Sequence, residues 1–320
     1  MSSYNVQFIF TRHGYSCANV LTDLNLGHKQ GSVTPDAILS DYGIVQAKLL
    51  NGKLRALNKL INPDIVVCSN LKRAIETAMY IYKDIVETVY PVSFISEIRD
   101  PLKFGLDYDN VPSKVDELKV YFKEGDPKVD FDILEVFVEK IKDQTADFSK
   151  FIKYVVPYII KHIQTVSPNK NHYVISVVSH QHFIEDHLNI AIQKIFDNKI
   201  NEIMIDESID IEKKHKVIDH LKACKKKNRF LDYLNIETWI EDVVLKYDDQ
   251  NNILEYNSKR LKKLYSGFGK VNSENLIDNM VNYVLVPDKY EDTFNKIDIG
   301  DQQIYERCMY HPGFKDVITK

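Results

Sequence analysis

The chain has 320 residues and 44% apolar content, enough to bury the core of one large α/β domain or two smaller ones. Lys+Arg of 42 against Asp+Glu of 46 leaves a net charge of −4, so nothing in the overall balance favours nucleic acid or an anionic membrane as partner. No apolar stretch approaches the roughly 20 residues that cross a bilayer, and Met1-Ser2-Ser3-Tyr4-Asn5 lacks the basic and apolar regions of a secretory signal, so a cytoplasmic protein is expected.

The first element is an apolar run of strand character, Val6 to Phe10, cut off by Thr11-Arg12-His13-Gly14 and then by Ser16, a candidate helix N-cap. A strand, a tight turn and a helix start leave backbone N–H groups unpaired and pointing outward, which suits a phosphate. Arg12 adds a permanent planar cation and His13 a nitrogen nucleophile. Taken alone, Thr-Arg-His-Gly fits an ordinary βα surface turn equally well.

After a loop at 25–34, apolar residues recur at helical spacing from Ile44 to Ile61, a long amphipathic helix capped by Ser40 or Asp41. Gly43 and Gln46 in its first turn read as simple helix initiation. Asp64 to Ser69 is a continuous β-branched run, typical of a strand buried on both faces. It opens a second helix with Arg73 in its first turn, where a cation opposes the helix dipole. A third strand is expected over Val92–Ile95, closing on Ser96-Glu97-Ile98-Arg99-Asp100. From Pro101 to about Gln144 the pattern dissolves into an acidic insertion with short helices near 114–122 and 133–141, read as a lid or a substrate-selecting elaboration. Periodicity returns from Phe148 to Val166 in a helix kinked at Pro157. His172–Ser179 is a fourth buried strand, stopping at His180-Gln181-His182 before a helix over 183–196.

Strands alternating with helices predict a three-layer α/β fold, a mostly parallel doubly wound sheet with helices on both faces. Ligands of such sheets bind beyond the carboxyl ends of the strands. Arg12, His13, Arg73, Glu97 and His180 would then face one crevice, and their shared position at separate βα junctions points to catalysis.

Thr11-Arg12-His13-Gly14-x-Ser16-x-x-Asn19, Asp36-x-x-Leu39-Ser40-x-x-Gly43-x-x-Gln46-Ala47, Ser69-x-Leu71-x-Arg73-Ala74-x-x-Thr77-Ala78, an acid after the third strand, and Val178-Ser179-His180 together resemble the histidine phosphatase superfamily in its phosphoglycerate-mutase-like branch. The resemblance covers about residues 5–100 and 145–195. It implies a phosphohistidine intermediate with no metal and no organic cofactor, and an antiparallel strand or hairpin from Asn235–Tyr256 about the turn 248–252. The expected organisation is a catalytic domain over 1–260, containing the insertion 101–145, and a C-terminal extension over 261–320 that is a helical subdomain or a partner surface.

The chemistry assigns roles. His13 is neutral near pH 7 and attacks phosphorus through one ring nitrogen while the other donates to a backbone carbonyl. Arg12 and Arg73 hold the equatorial oxygens with forked donors, and His180 adds a further N–H. Glu97 gives the leaving oxygen its proton and then serves as base for water, with Asp100 in reserve. Gly14, Asn19 and Ser69 are phosphate-side candidates, and helix capping accounts for Ser69 equally well.

Tyr15 stands where mutases of this branch carry a polar or acidic residue, and their Glu-Arg-x-Tyr-Gly signature is absent at Glu97-Ile98-Arg99-Asp100. A phosphomonoesterase is therefore expected over a mutase, acting on a small phosphorylated substrate or a phosphoprotein, with a catalytically inactive scaffold as the competing class. Self-association is open. Other signals are weaker. Cys68 and Arg73 are one residue too close for a cysteine-dependent phosphatase loop, Asp107-x-Asp109 lacks a preceding buried strand, and Ser266–Lys270 lacks P-loop spacing. His180, His182 and His187 with Glu185 and Asp186 match no closed zinc site and read as helix-surface residues. Cys17, Cys68, Cys224 and Cys308, with no C-x-x-C spacing, fit free thiols in a reducing compartment.

Overall fold

The computed structural model describes residues 1–23, 35–56, 62–97, 110–140, 145–227, 235–265 and 306–310. Its frame is a seven-stranded sheet of order β4-β3-β2-β5-β1-β6-β7. The strands are β1 (Ser2–Arg12), β2 (Ile65–Ser69), β3 (Thr88–Val92), β4 (Lys128–Val129), β5 (His172–Ser179), β6 (Thr238–Tyr247) and β7 (Ile253–Tyr265). β4, β3, β2, β5 and β1 run parallel, and β6 and β7 close one side as the antiparallel hairpin expected from the resemblance. β1 therefore lies inside the sheet, and its end, Arg12, is level with Ser179 of β5. β7 continues through position 260 to Tyr265 without a break.

Side-chain alternation sets the two layers. Phe8 and Phe10 of β1 point into the larger core beneath α7 (Val156–Val166) and α8 (Gln181–Ile205), while Ile9 points to the opposite core beneath α2 (Asp41–Ala56) and α3 (Lys72–Tyr82). β2 is buried at every position, as its unbroken β-branched run requires of a central parallel strand. The insertion supplies α4 (Val115–Tyr121) over the second core and α5 (Asp132–Lys140), which puts Leu134 in the second core and Ile133 and Phe137 in the larger one, and between the two helices β4, two residues the sequence pattern does not reveal. Residues 98–109 of the insertion, the loop 25–34 and the Asp107-x-Asp109 and Ser266–Lys270 signals lie outside the described residues.

Several boundaries differ from expectation for identifiable reasons. The third strand is Thr88–Val92, not Val92–Ile95, and contains Pro91. Pro91 is level with Cys68 of β2 on one side, whereas β4 on the other side reaches only Val89, so the missing N–H interrupts no ladder there. The helix after Ala146 does not simply kink at Pro157. A π-helical stretch, Phe151–Val155, precedes the proline, which then sits in the first turn of α7. α8 extends to Ile205 and is followed by α9 (Ile211–Lys227).

Two side-chain readings are corrected. Cys17 and Cys308 are not free thiols but form a disulfide across 291 positions, with Cα atoms 5.5 Å apart. Pairing at that separation leaves no spacing signal. Cys68 is a buried free thiol, and the Cys224 side chain lies outside the described residues. His187 is not on the helix surface either: it is buried, bonded to Glu241 at 2.6 Å and stacked on Phe148. Among the described residues no helix is long and apolar enough to cross a membrane.

Candidate active site

Where β1 ends, the next few residues are fastened to five partners, four of them distant in sequence. The His13 N–H donates to Ser179 O at 2.8 Å, and Asn235 Nδ2 donates to His13 O at 3.0 Å. The Gly14 N–H donates to Thr77 Oγ1 at 3.0 Å, the Tyr15 N–H to Gln46 Oε1 at 2.9 Å and the Ser16 N–H to Asn19 Oδ1 at 3.0 Å. The turn's amides are thus spent on protein acceptors. This overturns the expectation that they point outward at an anion, and leaves the anion to be held by side chains.

The same fastening explains two glycines. A Cβ on Gly14 would stand 2.9 Å from Gly43 O, and one on Gly43 only 2.1 Å from Tyr15 O. The turn packs directly on the first turn of α2, where Ser40 caps the helix by accepting from the Gly43 N–H at 3.1 Å.

Into this frame β1, β2, α3, β5 and the segment after β3 each deliver a side chain. His13 Nδ1 donates to Gly14 O at 2.7 Å, which fixes the tautomer and leaves the Nε2 lone pair facing Arg73, whose Nε donates to it at 3.3 Å. The imidazoles of His13 and His180 lie 4.9 Å apart, centroid to centroid. His180 Nδ1 is 3.0 Å from Glu97 Oε2 and 3.4 Å from Arg73 Nη2, and His180 Nε2 is 2.8 Å from Ser69 Oγ. A neutral His180 that donates from Nδ1 to Glu97 and accepts at Nε2 from the Ser69 hydroxyl satisfies this geometry. Arg73 Nη2 also donates to Asn110 Oδ1, so the insertion reaches the cradle through one carboxamide.

Burial and charge act together here. Burial first, then the Arg73, His180 and Arg12 charges, push the His13 pKa well below the ordinary imidazole value. Burial and Arg73 likewise bring His180 down to about 4, against the opposing pull of Glu97. Burial would raise Glu97, but its hydrogen bond to His180 and the charges around it win and hold the carboxyl at about 2. At neutral pH the site presents two neutral imidazoles, one carboxylate and two guanidinium groups.

Among the described residues, His13, Glu97 and His180 bring ligand atoms within 4.8 Å of one another, which is close enough for a metal ion. Arg73 donors at 3.3 and 3.4 Å from two of those ligand nitrogens oppose a cation and favour an anion.

Arg12, His13, Arg73, Glu97 and His180 therefore converge, as the strand-end argument expects. Ser69 touches His180 as an orienting hydroxyl. Asn19 is used locally: its Oδ1 accepts from both the N–H and the hydroxyl of Ser16, whose Oγ accepts the Asn19 N–H in return at 3.3 Å. Asp100 lies outside the described residues. Gln46 and Thr77 were visible only as helix residues, yet each holds one amide of the His13 turn. Asp36 was also passed over. It accepts from the N–H groups of Lys72 at 2.7 Å and Ser113 at 2.8 Å, tying the insertion to the start of α3. Their place in the quoted motifs was the available signal; Asn110, in an aperiodic insertion, offered none.

A sequence model described as the histidine phosphatase superfamily (branch 1) matches residues 8–207. Solved structures that match this chain include a phosphoserine phosphatase from Entamoeba histolytica, 18% identical over 79% of this chain and 96% of that one, with a TM-score of 0.32. A mycobacterial glucosyl-3-phosphoglycerate phosphatase is 13% identical over 83% and 100%, with a TM-score of 0.37. A phosphoglycerate mutase from Bacillus anthracis is 15% identical over 80% and 93%, with a TM-score of 0.36. No curated protein matches the sequence.

Proposed function

This chain belongs to the histidine phosphatase superfamily, branch 1, and on that premise we propose that it hydrolyses phosphomonoesters without a metal, through a phosphohistidine on His13. The observation that carries the proposal is the held tautomer. Nδ1 is committed to Gly14 O at 2.7 Å, and the depressed pKa keeps Nε2 unprotonated, so the nucleophile needs no separate base.

In the first step the Nε2 lone pair forms a bond to phosphorus as the bond to the leaving oxygen breaks. Arg12 and Arg73 neutralise the equatorial oxygens, and His180 contributes Nδ1–H once Glu97 turns to the leaving group. Glu97 hands its proton to that oxygen. In the second step Glu97 takes a proton from water, the oxygen attacks phosphorus, and the N–P bond breaks to release inorganic phosphate and neutral His13.

The ionised Glu97 refines this scheme. With Glu97 held at about 2, the carboxyl carries no proton at neutral pH. A phosphomonoester arriving as its monoanion brings the proton with it and transfers it to Glu97 as its own oxygens settle on the arginines. Tyr15 and the segment Glu97-Ile98-Arg99-Asp100 support hydrolysis over mutase transfer, with a small phosphorylated molecule or a phosphoprotein as substrate. The test is hydrolysis of an aryl phosphate in EDTA by the wild type and by His13→Ala. Metal-independent turnover lost in the variant supports the reading. A folded wild type inactive on a panel of phosphomonoesters would instead favour a non-catalytic scaffold.

A further inference from the structure

Arg307 reaches the frame of the candidate site from the far end of the sequence. It lies in the 3-10 turn Glu306–Tyr310. Its guanidinium forks onto buried Glu76, with Nη1 3.0 Å from Oε2 and Nη2 on Oε1. Nη1 also donates to Leu39 O at 2.9 Å, while Glu76 Oε2 accepts the Leu39 N–H at 2.7 Å. One ion pair therefore holds both backbone polar groups of Leu39, the carbonyl directly and the amide through Glu76.

Leu39 is the plate on which the His13 turn rests. It forms an antiparallel bridge with Ser16, and the adjacent Ser40 donates to Tyr15 O from its N–H at 3.0 Å and from its hydroxyl at 2.8 Å. The other side of that bridge is fixed by the Cys17–Cys308 disulfide, and the Cys17 N–H donates to Ile38 O at 2.9 Å. Cys308 is fully buried in a small apolar cluster with Tyr15, Cys17, Val20 and Ile38. The Arg307 N–H donates to Asp41 at 2.8 Å, so the turn cannot rotate away from Glu76 while the disulfide is closed.

We infer that Arg307 is a positioning residue for the candidate active site, acting through Glu76 and Leu39 on the His13 turn, and that the Cys17–Cys308 disulfide is the clasp that keeps it there. A dithiol reductant opens the clasp. One thiolate attacks a sulfur of the bridge and the second closes the reductant into a cyclic disulfide, leaving Cys17 and Cys308 as thiols. The inference rests on the proposed phosphatase reading only for its ligand-binding readout.

The test uses the full chain in four forms: oxidised wild type, wild type reduced with a dithiol that is then removed anaerobically because thiols reduce vanadate, Arg307→Lys and Cys308→Ser. Arg307→Lys keeps a positive charge for Glu76 but cannot span Glu76 and Leu39 O together. Two quantities are read, the Kd for orthovanadate and hydrogen exchange at the amides of Leu39, Ser40 and Tyr15. The three altered forms should weaken vanadate about tenfold, the scale of a sub-ångström displacement of binding groups, and speed exchange at those amides while β5 exchange is unchanged. Cys308→Ser should not respond to the dithiol. Wild-type exchange at Leu39 and Ser40 in all altered forms overturns the inference. If no form binds vanadate or turns over phosphomonoesters yet the exchange changes appear, the phosphatase reading has failed and the positioning role stands.

Discussion

Replacing Gly43 with alanine tests the packing of the His13 turn without touching any group that meets substrate. The added Cβ would stand 2.1 Å from Tyr15 O, against a practical limit of about 3.0 Å, so turn and helix must part by about 0.9 Å. Tyr15 O is held by Ser40 N at 3.0 Å and Ser40 Oγ at 2.8 Å, both at the start of the same helix. The displacement therefore passes into the turn that carries His13. A shift near 1 Å at reacting groups costs about 100-fold in rate. Helix α2 itself survives, since alanine is the better helix former. Gly52→Ala on the same helix is the control: a Cβ there meets nothing within 4 Å. The assay is kcat/KM on an aryl phosphate beside a thermal melt of each variant. Gly43→Ala should lose about two orders of magnitude with its far-UV spectrum intact, and Gly52→Ala should match the wild type in rate. Gly43→Ala within threefold of wild type would refute the idea that this contact sets the geometry of the nucleophile.

Arg73→Lys should keep the fold but lower kcat by about 10²–10³, because an ammonium cannot address His13, His180 and a phosphate oxygen from one plane; steady-state kinetics reads this directly. Glu97→Gln should spare attack on 4-nitrophenyl phosphate, whose leaving group needs no proton, and slow the hydrolytic second step. Rapid mixing then shows a burst of nitrophenolate, whereas equal loss in both steps would contradict the role. The pH profile follows from the direction of the His13 shift. Because burial and Arg73 depress its pKa well below the ordinary imidazole value, His13 stays neutral as pH falls from 7 through about 6.5, so kcat/KM should not decline there. It should decline on the alkaline side, as the substrate loses the proton that Glu97 requires, near a phosphate pKa of about 6. Titrating kcat/KM with loss beginning at pH 6.5 on acidification would show an ordinary, unburied nucleophile.

The legible part of this protein was its periodicity and its strand ends. Asp64–Ser69 and His172–Ser179 read as buried strands because β-branched residues fill both faces, and each ends at a polar residue of the site. The convergence of His13, Arg73 and His180 followed from parallel topology alone. What stayed hidden were contacts between segments with no periodic relation. Gln46 and Thr77 sit on helices and were signalled only by their place in the quoted motifs, which does not say that each holds an amide of the His13 turn. The belief that those amides face an anion failed for the same reason, since their acceptors come from helices 31 and 63 positions away. The Cys17–Cys308 pair and the Arg307–Glu76 fork join sites 291 and 231 positions apart, where only three-dimensional closure brings the partners together. β3 lies ahead of the expected Val92–Ile95 and contains Pro91, which the short reach of β4 makes tolerable.

The most direct test of the account is to trap the phosphoenzyme. The protein is mixed with an aryl phosphate, quenched at alkaline pH within milliseconds, digested and mapped by mass spectrometry. The account predicts one acid-labile, alkali-stable phosphoryl group on the imidazole of His13, absent from His13→Ala. Phosphate on another residue, or turnover with no covalent adduct at any mixing time, would contradict it.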